Sequence, residues 1–124
     1  MPFAYWCVLV AALLPTVWVI YAKRGTTDNH NPRAGIDALP PAKRRAYSAH
    51  LNAIENFPFF AVAVIIALQL GAPAATVNWL AGLYIAVRIL HGLLYIADQA
   101  SLRSLSFLVG VVINVVIFVL PAFK

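Results

Sequence analysis

Four apolar runs, each about 20 residues long, constrain this chain more than any other feature. They cover residues 3–22, 47–70, 74–97 and 104–123, and a helix of that length crosses the hydrocarbon core of a bilayer. Of the 124 residues, 63% are hydrophobic and 10% are charged. A soluble domain of this size has too little interior to bury so much apolar surface. The sequence therefore predicts one all-α domain over residues 1–124, an integral membrane four-helix bundle.

The basic residues predict how the bundle lies in the membrane. Most of the nine Lys and Arg residues fall between the first two runs: Lys23, Arg24, Arg33, Lys43, Arg44 and Arg45. By the positive-inside rule, the connection over residues 23–44 and the turn before the fourth run face the cytoplasm, and both termini face the other side. The net charge of +5 is then a topology signal. We expect no nucleic-acid partner, because no basic stripe with interleaved aromatic residues exists outside that connection.

Polar residues inside two of the runs form stripes. Spacings of three and four residues place one set on a single face of the second helix: Arg45, Ser48, Asn52, Glu55 and Phe59. The third helix repeats this rhythm with Arg88, His91 and Tyr95. At 1.5 Å per residue, Glu55 and Arg88 both lie about 15 Å from the predicted cytoplasmic face. Since ionised side chains are costly in lipid unless paired or hydrated, the two stripes should share a cavity, with Glu55 and Arg88 as partners.

A structural role for these residues is the simplest alternative, since polar side chains also hold membrane helices together. Arg103, at the start of the fourth run, adds a further cation to the same layer. So many polar groups favour a site for a small anionic, peptide-like ligand. Arg103 has its own alternative, an ion pair with Asp98 across the short turn. Cys7 is interpreted as a small buried residue, and with one cysteine in the chain we expect no metal site.

Two motifs give the chain a family resemblance. The segment RAYSAHLNAIENFP over residues 45–58 resembles the R-x-x-x-A-[HQ]-x-N-x-x-E-x-x-P signature of the MAPEG family, the membrane-associated proteins in eicosanoid and glutathione metabolism. RILHGLLY, residues 88–95, resembles the family's third-helix motif. LRSL, residues 102–105, resembles the start of the fourth helix in many bacterial members.

The resemblance implies a homotrimer in a bacterial inner membrane, with glutathione bound between subunits near the cytoplasmic face. On this basis the expected glutathione-binding residues are Arg45, Asn52, Glu55, Arg88, His91 and Tyr95. Arg103 matches the arginine that stabilises the thiolate in catalytic members, and Ser104 matches its neighbour. A nearby guanidinium favours the thiolate, which is the nucleophilic form. Synthase branches of the family keep arginines where this chain has Ser48 or Leu51, and a tyrosine where it has Phe107. Another thiol is therefore an open alternative to glutathione.

Three functions follow as hypotheses. The first is a glutathione-dependent transferase or peroxidase that acts on lipophilic electrophiles or hydroperoxides from the bilayer. The second is a non-catalytic member that binds membrane lipids or acts as a scaffold. The third is a small proton-coupled exporter built on Glu55. Such exporters usually carry the essential carboxylate in the first span, and the first run of this chain contains no Asp or Glu.

Overall fold

The computed structural model describes residues 1–25 and 28–124, and within them the chain is helical, with no strand. Four long helices follow one another: α1 (Phe3–Lys23), α2 (Pro41–Gln69), α3 (Ala74–Ile96) and α4 (Ala100–Val119). Two short 3₁₀ segments, Ile36–Ala38 and Leu120–Phe123, flank α2 and α4. All four helices are long and apolar enough to cross a membrane. The predicted all-α, four-helix membrane fold is confirmed. Residues 26 and 27 of the predicted 23–44 connection lie outside the described residues.

Helix α2 extends well before the predicted span, which starts at residue 47. It begins at Pro41, in the first helical position, where proline's missing N–H costs no helical hydrogen bond. Its 29 residues make it longer than the hydrocarbon core of a bilayer, which is about 30 Å thick. The first turns of α2 therefore project beyond the apolar layer, and they carry Lys43, Arg44 and Arg45.

Two tight turns make consecutive helices antiparallel. The α2–α3 turn uses Gly71 at φ 78°, a left-handed conformation that glycine adopts without strain. The α3–α4 turn uses Asp98 at φ 60°. One end of the bundle, here called the basic end, thus carries residues 24–25 and 28–40 and the turn over residues 97–99. The other, the hairpin end, carries residues 70–73 and the first and last residues of the chain.

Small residues line the contacts between helices. Ala4, Cys7 and Ala11 bury one face of α1, and alanines at positions 63 and 67 bury the matching face of α2. Because lipid is as apolar as a side chain, membrane helices gain from close backbone approach and dispersion contacts, which small residues allow. The outer faces carry large apolar side chains that are about half exposed, among them Leu13, Val17 and Ile20. These faces match a lipid environment.

At Gly92, α3 packs tightly against the Trp18 side chain of α1. A Cβ atom at this position would overlap the buried ring of Trp18. Trp18 itself packs with Leu14 and Ala49, so its ring cannot move outward without opening the contact between α1 and α2. We expect Gly92→Ala to destabilise the fold by about 1–3 kcal/mol, the usual cost of overpacking a core. Thermal unfolding in detergent measures this.

Gly82→Ala is the matched control. Its Cβ would meet the Phe3 ring at 3.3 Å, and Phe3 is exposed and free to move. Its melting temperature should stay close to that of the parent chain. Equal effects of the two substitutions would contradict the role assigned to the Trp18–Gly92 contact.

Candidate functional site

Arg88 lies at the centre of the polar region. Its side chain is only 4% exposed, and its Nη2 donates a hydrogen bond of 2.6 Å to the Asn52 Oδ1. This contact joins the stripe of α3 to the stripe of α2, so the two stripes face each other as their spacing predicted. A hydrogen bond to a charged group is stronger than one between neutral groups. The contact therefore holds both side chains inside the bundle, between α2 and α3.

The predicted ion pair between Glu55 and Arg88 does not form within a single subunit, so that prediction was wrong. Glu55 is exposed, and no ion pair joins it to Arg88 among residues 1–25 and 28–124. Helix geometry explains this, since Glu55 shares its face with Leu51 and Phe59, one turn away on either side. Both of those residues are themselves exposed. Glu55 thus points to the outside of the subunit, whereas Asn52 points inward to Arg88.

Next to Asn52, a cleft of about 240 Å³ opens between α2, α3 and α4. Its lining contains most of the predicted site residues and adds Phe107 to them: Asn52, His91, Tyr95, Arg103, Ser104 and Phe107. The His91 ring is buried and meets the Tyr95 ring edge-on, with centroids 5.8 Å apart. The aromatic rings therefore shape the cleft, and the polar groups converge on it.

Arg103 lies over an aromatic ring. Its guanidinium carbon is 4.4 Å from the centroid of the Tyr95 ring, within cation–π range. The alternative ion pair with Asp98 is not present among the described residues. Ser106, one turn further along α4, donates to the Arg103 carbonyl at 2.7 Å. Arg103 is thus held at the mouth of the cleft by a contact that leaves its N–H groups available to a bound anion.

Arg45 and His50, both in the signature segment, lie outside this cleft. Arg45 donates from Nε and Nη2 to the Ile96 carbonyl, at 3.1 and 3.0 Å, and so caps the last turn of α3. It lines a second cleft of about 470 Å³ at the basic end, which shares only the Tyr95 ring with the first. The His50 Nδ1 lies 2.8 Å from the Pro15 carbonyl of α1, and since a carbonyl only accepts, this nitrogen carries the proton. His50 thus faces α1, away from the cleft.

Three interior polar residues escaped the sequence analysis: Asn56, Tyr84 and Asn114. Asn56 donates from Nδ2 to the Asn52 carbonyl at 2.9 Å and to the Asn52 Oδ1 at 3.3 Å. Tyr84 precedes Arg88 by one turn, so it extends the stripe of α3. Its spacing from Arg88 could have indicated it, but a tyrosine in an apolar helix is common as a packing residue. Asn114 stands alone in α4, where no periodic pattern singles it out.

The hydrogen bonds of Asn52 define what its cleft-facing group is. A guanidinium has no acceptor, so Arg88 must contact the amide oxygen of Asn52 rather than its nitrogen. Asn56 also donates to that oxygen, and the Asn52 NH₂ group remains for the cleft. With Arg103 and the Ser104 hydroxyl, the cleft thus offers hydrogen-bond donors and a cation. It is suited to a ligand that carries carboxylates or carbonyl groups.

The family model for the MAPEG family matches residues 3–123. The chain belongs to the MAPEG family. Two further comparisons, with curated proteins and with solved structures, gave no match. In this MAPEG chain, no group of three or more His, Cys, Asp or Glu side chains lies close enough to hold a metal ion among the described residues. The donors that line the cleft are amide, guanidinium and hydroxyl groups, which suit an organic anion.

The Arg88–Asn52 contact predicts a stability effect that is independent of any ligand. Asn52→Leu leaves a buried guanidinium without its acceptor, and we expect a loss of about 2–3 kcal/mol, typical for hydrogen bonds to charged groups. Asn52→Asp is the matched control, because a carboxylate still accepts from Arg88 and the fold should melt near the parent temperature. The double variant Asn52→Leu/Arg88→Met should recover most of the loss. A single variant that melts like the parent protein would contradict the assignment.

Proposed function

We propose that this MAPEG chain is a membrane-bound, glutathione-dependent transferase or peroxidase. The observation that carries the proposal is the Arg103 guanidinium at the mouth of a cleft whose other polar lining includes Asn52 and Ser104. MAPEG proteins are generally associated with glutathione. Glutathione is a tripeptide with two carboxylates, and its acceptors match the donors that this cleft presents.

The chemistry starts with the thiol of glutathione. A free thiol has a pKa of about 8.5, and a neighbouring guanidinium stabilises the thiolate, which is the reactive form. Arg103 supplies that charge, and the Ser104 hydroxyl can donate a hydrogen bond to the sulfur. The stacking of Arg103 on Tyr95 holds the guanidinium in place before the thiol arrives. A cation fixed in advance where negative charge develops is a large contribution to catalysis.

Two reactions are open to a thiolate at this position. In a transfer, the sulfur attacks an electrophilic carbon, a carbon–sulfur bond forms, and the leaving group departs with the electron pair. In a peroxidase reaction, the sulfur attacks the outer oxygen of a hydroperoxide and the alcohol departs. A second glutathione then displaces water from the resulting sulfenic acid to give the disulfide. Lipophilic substrates suit both reactions, because the partly exposed Phe107 ring adds apolar surface to the lining of the cleft.

A homo-oligomer completes the site in this proposal. One subunit forms a cleft of about 240 Å³, smaller than the roughly 300–1,000 Å³ of most ligand pockets. Glu55 stands on an outer face between Leu51 and Phe59, where lipid contact is costly for a carboxylate. A second copy of the chain packed on this face enlarges the cleft and shields the Glu55 carboxylate from lipid. The family resemblance makes a trimer the expected assembly.

The experiment on catalysis compares binding with turnover. Wild-type protein in detergent should gain thermal stability with millimolar glutathione, because only the native state binds it. It should also conjugate a generic aryl halide. Arg103→Ala should lower kcat by about 10²-fold or more, as loss of a preorganised donor does, and change the glutathione Kd only a few-fold. Arg33→Ala, which removes a cation from the exposed connection, serves as the control and should behave like the parent protein.

Two results would overturn the proposal. The first is no thermal shift with glutathione together with no conjugation and no peroxidase turnover in the wild type. The second is an equal loss of binding and turnover in Arg103→Ala, which would reduce Arg103 to a ligand contact. Retained lipid binding without turnover would favour the scaffold hypothesis.

Glu55 gives a separate prediction about assembly. Glu55→Gln should weaken the homo-oligomer, which native mass spectrometry in detergent detects as a shift towards single subunits. Asp37→Asn, a change of an exposed loop carboxylate, should leave the assembly intact. An unchanged oligomer in Glu55→Gln would contradict the interface role. Proton-coupled efflux in vesicles that is lost in Glu55→Gln would instead favour the exporter hypothesis.

A further inference from the structure

A line of polar side chains runs from the cleft into the interior of the subunit. Asn52 at the cleft receives hydrogen bonds from Asn56, and the Tyr84 hydroxyl donates to the Asn56 carbonyl over a long 3.5 Å. Asn114 of α4 lies one turn beyond Gly110, where α4 packs against the Tyr84 ring. Asn56, Tyr84 and Asn114, here called the interior line, thus connect three helices behind the residue that faces the ligand.

Asn114 is unfavourable for stability where it stands. It is 1% exposed, and its Oδ1 has no hydrogen-bond partner among the described residues. An unpaired buried oxygen costs stability, and a leucine of similar size would remove that cost. Its apolar neighbours on α4, Ile113 and Ile117, are also buried, so packing alone favours an apolar residue here. Packing and stability therefore do not explain the presence of Asn114.

The middle member of the line is held rigidly. The Tyr84 ring stacks on the Phe60 ring, with centroids 4.0 Å apart and planes 15° apart. Gly110 of α4 brings its backbone close to the same ring, since a Cβ built there would lie 3.6 Å from Tyr84. A fixed ring places its hydroxyl at a fixed point, against the Asn56 backbone carbonyl. The stack thus fixes where α3 holds the residue of α2 that donates to Asn52.

We propose that Asn56, Tyr84 and Asn114 are positioning residues that fix the orientation of the Asn52 amide. With the Asn52 Oδ1 bound by Arg88 and Asn56, its NH₂ group must face the cleft. That part of the cleft then selects a hydrogen-bond acceptor, such as a carboxylate or a peptide carbonyl, and disfavours an ammonium group. The identification of this ligand with glutathione rests on the proposed function, but the orientation of the amide does not.

Tyr84→Phe and Asn114→Leu test the proposal on the full chain in detergent. Tyr84→Phe removes the hydroxyl and keeps the stack on Phe60, and Asn114→Leu removes the amide at similar volume. Each should raise the Kd for glutathione by about 3- to 10-fold, as expected for the loss of a hydrogen bond, with kcat within about twofold of the parent value. The melting temperature should hold in Tyr84→Phe and hold or rise in Asn114→Leu. Tyr5→Phe, at the hairpin end, is the control and should change none of these values.

A positioning role changes ligand binding without lowering the melting temperature, whereas a packing role lowers both. A lower melting temperature with parallel losses of kcat and binding would make the interior line merely structural and overturn the proposal. An unchanged Kd in both variants would also overturn it.

A ligand-free measurement keeps the test independent of glutathione. With ¹⁵N-asparagine labelling, Tyr84→Phe should shift the side-chain NH₂ resonances of Asn52 and Asn56. The resonances of Asn78, which accepts from the Ala4 backbone N–H at the hairpin end, should stay in place. If the wild type binds no glutathione, the proposed function fails, and this spectrum alone decides the positioning role. Unchanged Asn52 resonances would overturn it.

Discussion

A guanidinium buried in a bundle of membrane helices has to find an acceptor, and in this chain Asn52 supplies it to Arg88. The hydrogen bond lies where α2 and α3 meet, and it requires a rotation of each helix that turns these two side chains towards each other. With that rotation fixed, His91 and Tyr95 point to the same cleft as Asn52, and Glu55 points away from it. Helix rotations that break this contact are disfavoured, because an unpaired buried charge would cost more than the surrounding contacts contribute.

Aromatic rings and helix ends complete the arrangement. Tyr95 carries Arg103 on its face and forms a wall of both clefts, while Arg45 caps the end of α3 one residue beyond it. Trp18 closes the contact of α1 with α3 at Gly92. The cationic side chains at the basic end therefore serve different purposes. Arg45 stabilises a helix terminus, whereas Arg103 remains available to a ligand.

Periodicity located half of the cleft residues, together with the buried Arg88 behind them. Asn52 on α2 and Arg88, His91 and Tyr95 on α3 follow spacings of three and four, and such spacings fix a common helix face whatever the partner is. The same reasoning failed for Glu55, because residues spaced three and four apart cover a broad strip of the helix surface. Glu55 lies at the edge of that strip and points outward. It also had no means of finding Asn114, since a single polar residue in an apolar helix has no period. The acceptor for Arg88 depended on helix rotation, which periodicity does not determine.

The sequence by itself determined the membrane fold and the family, because long apolar runs leave a chain few alternatives to spanning helices and because the motifs of α2 and α3 are local in the chain. It also determined that polar residues of α2 and α3 share a layer, since short turns force neighbouring helices to be antiparallel. Only the tertiary structure decided that Arg88 contacts Asn52 rather than Glu55, that Arg103 lies on Tyr95 rather than beside Asp98, and that Asn114 lies behind the cleft. Each of these contacts joins different helices or opposite sides of a turn, and their geometry depends on helix rotation and packing, which no local pattern encodes.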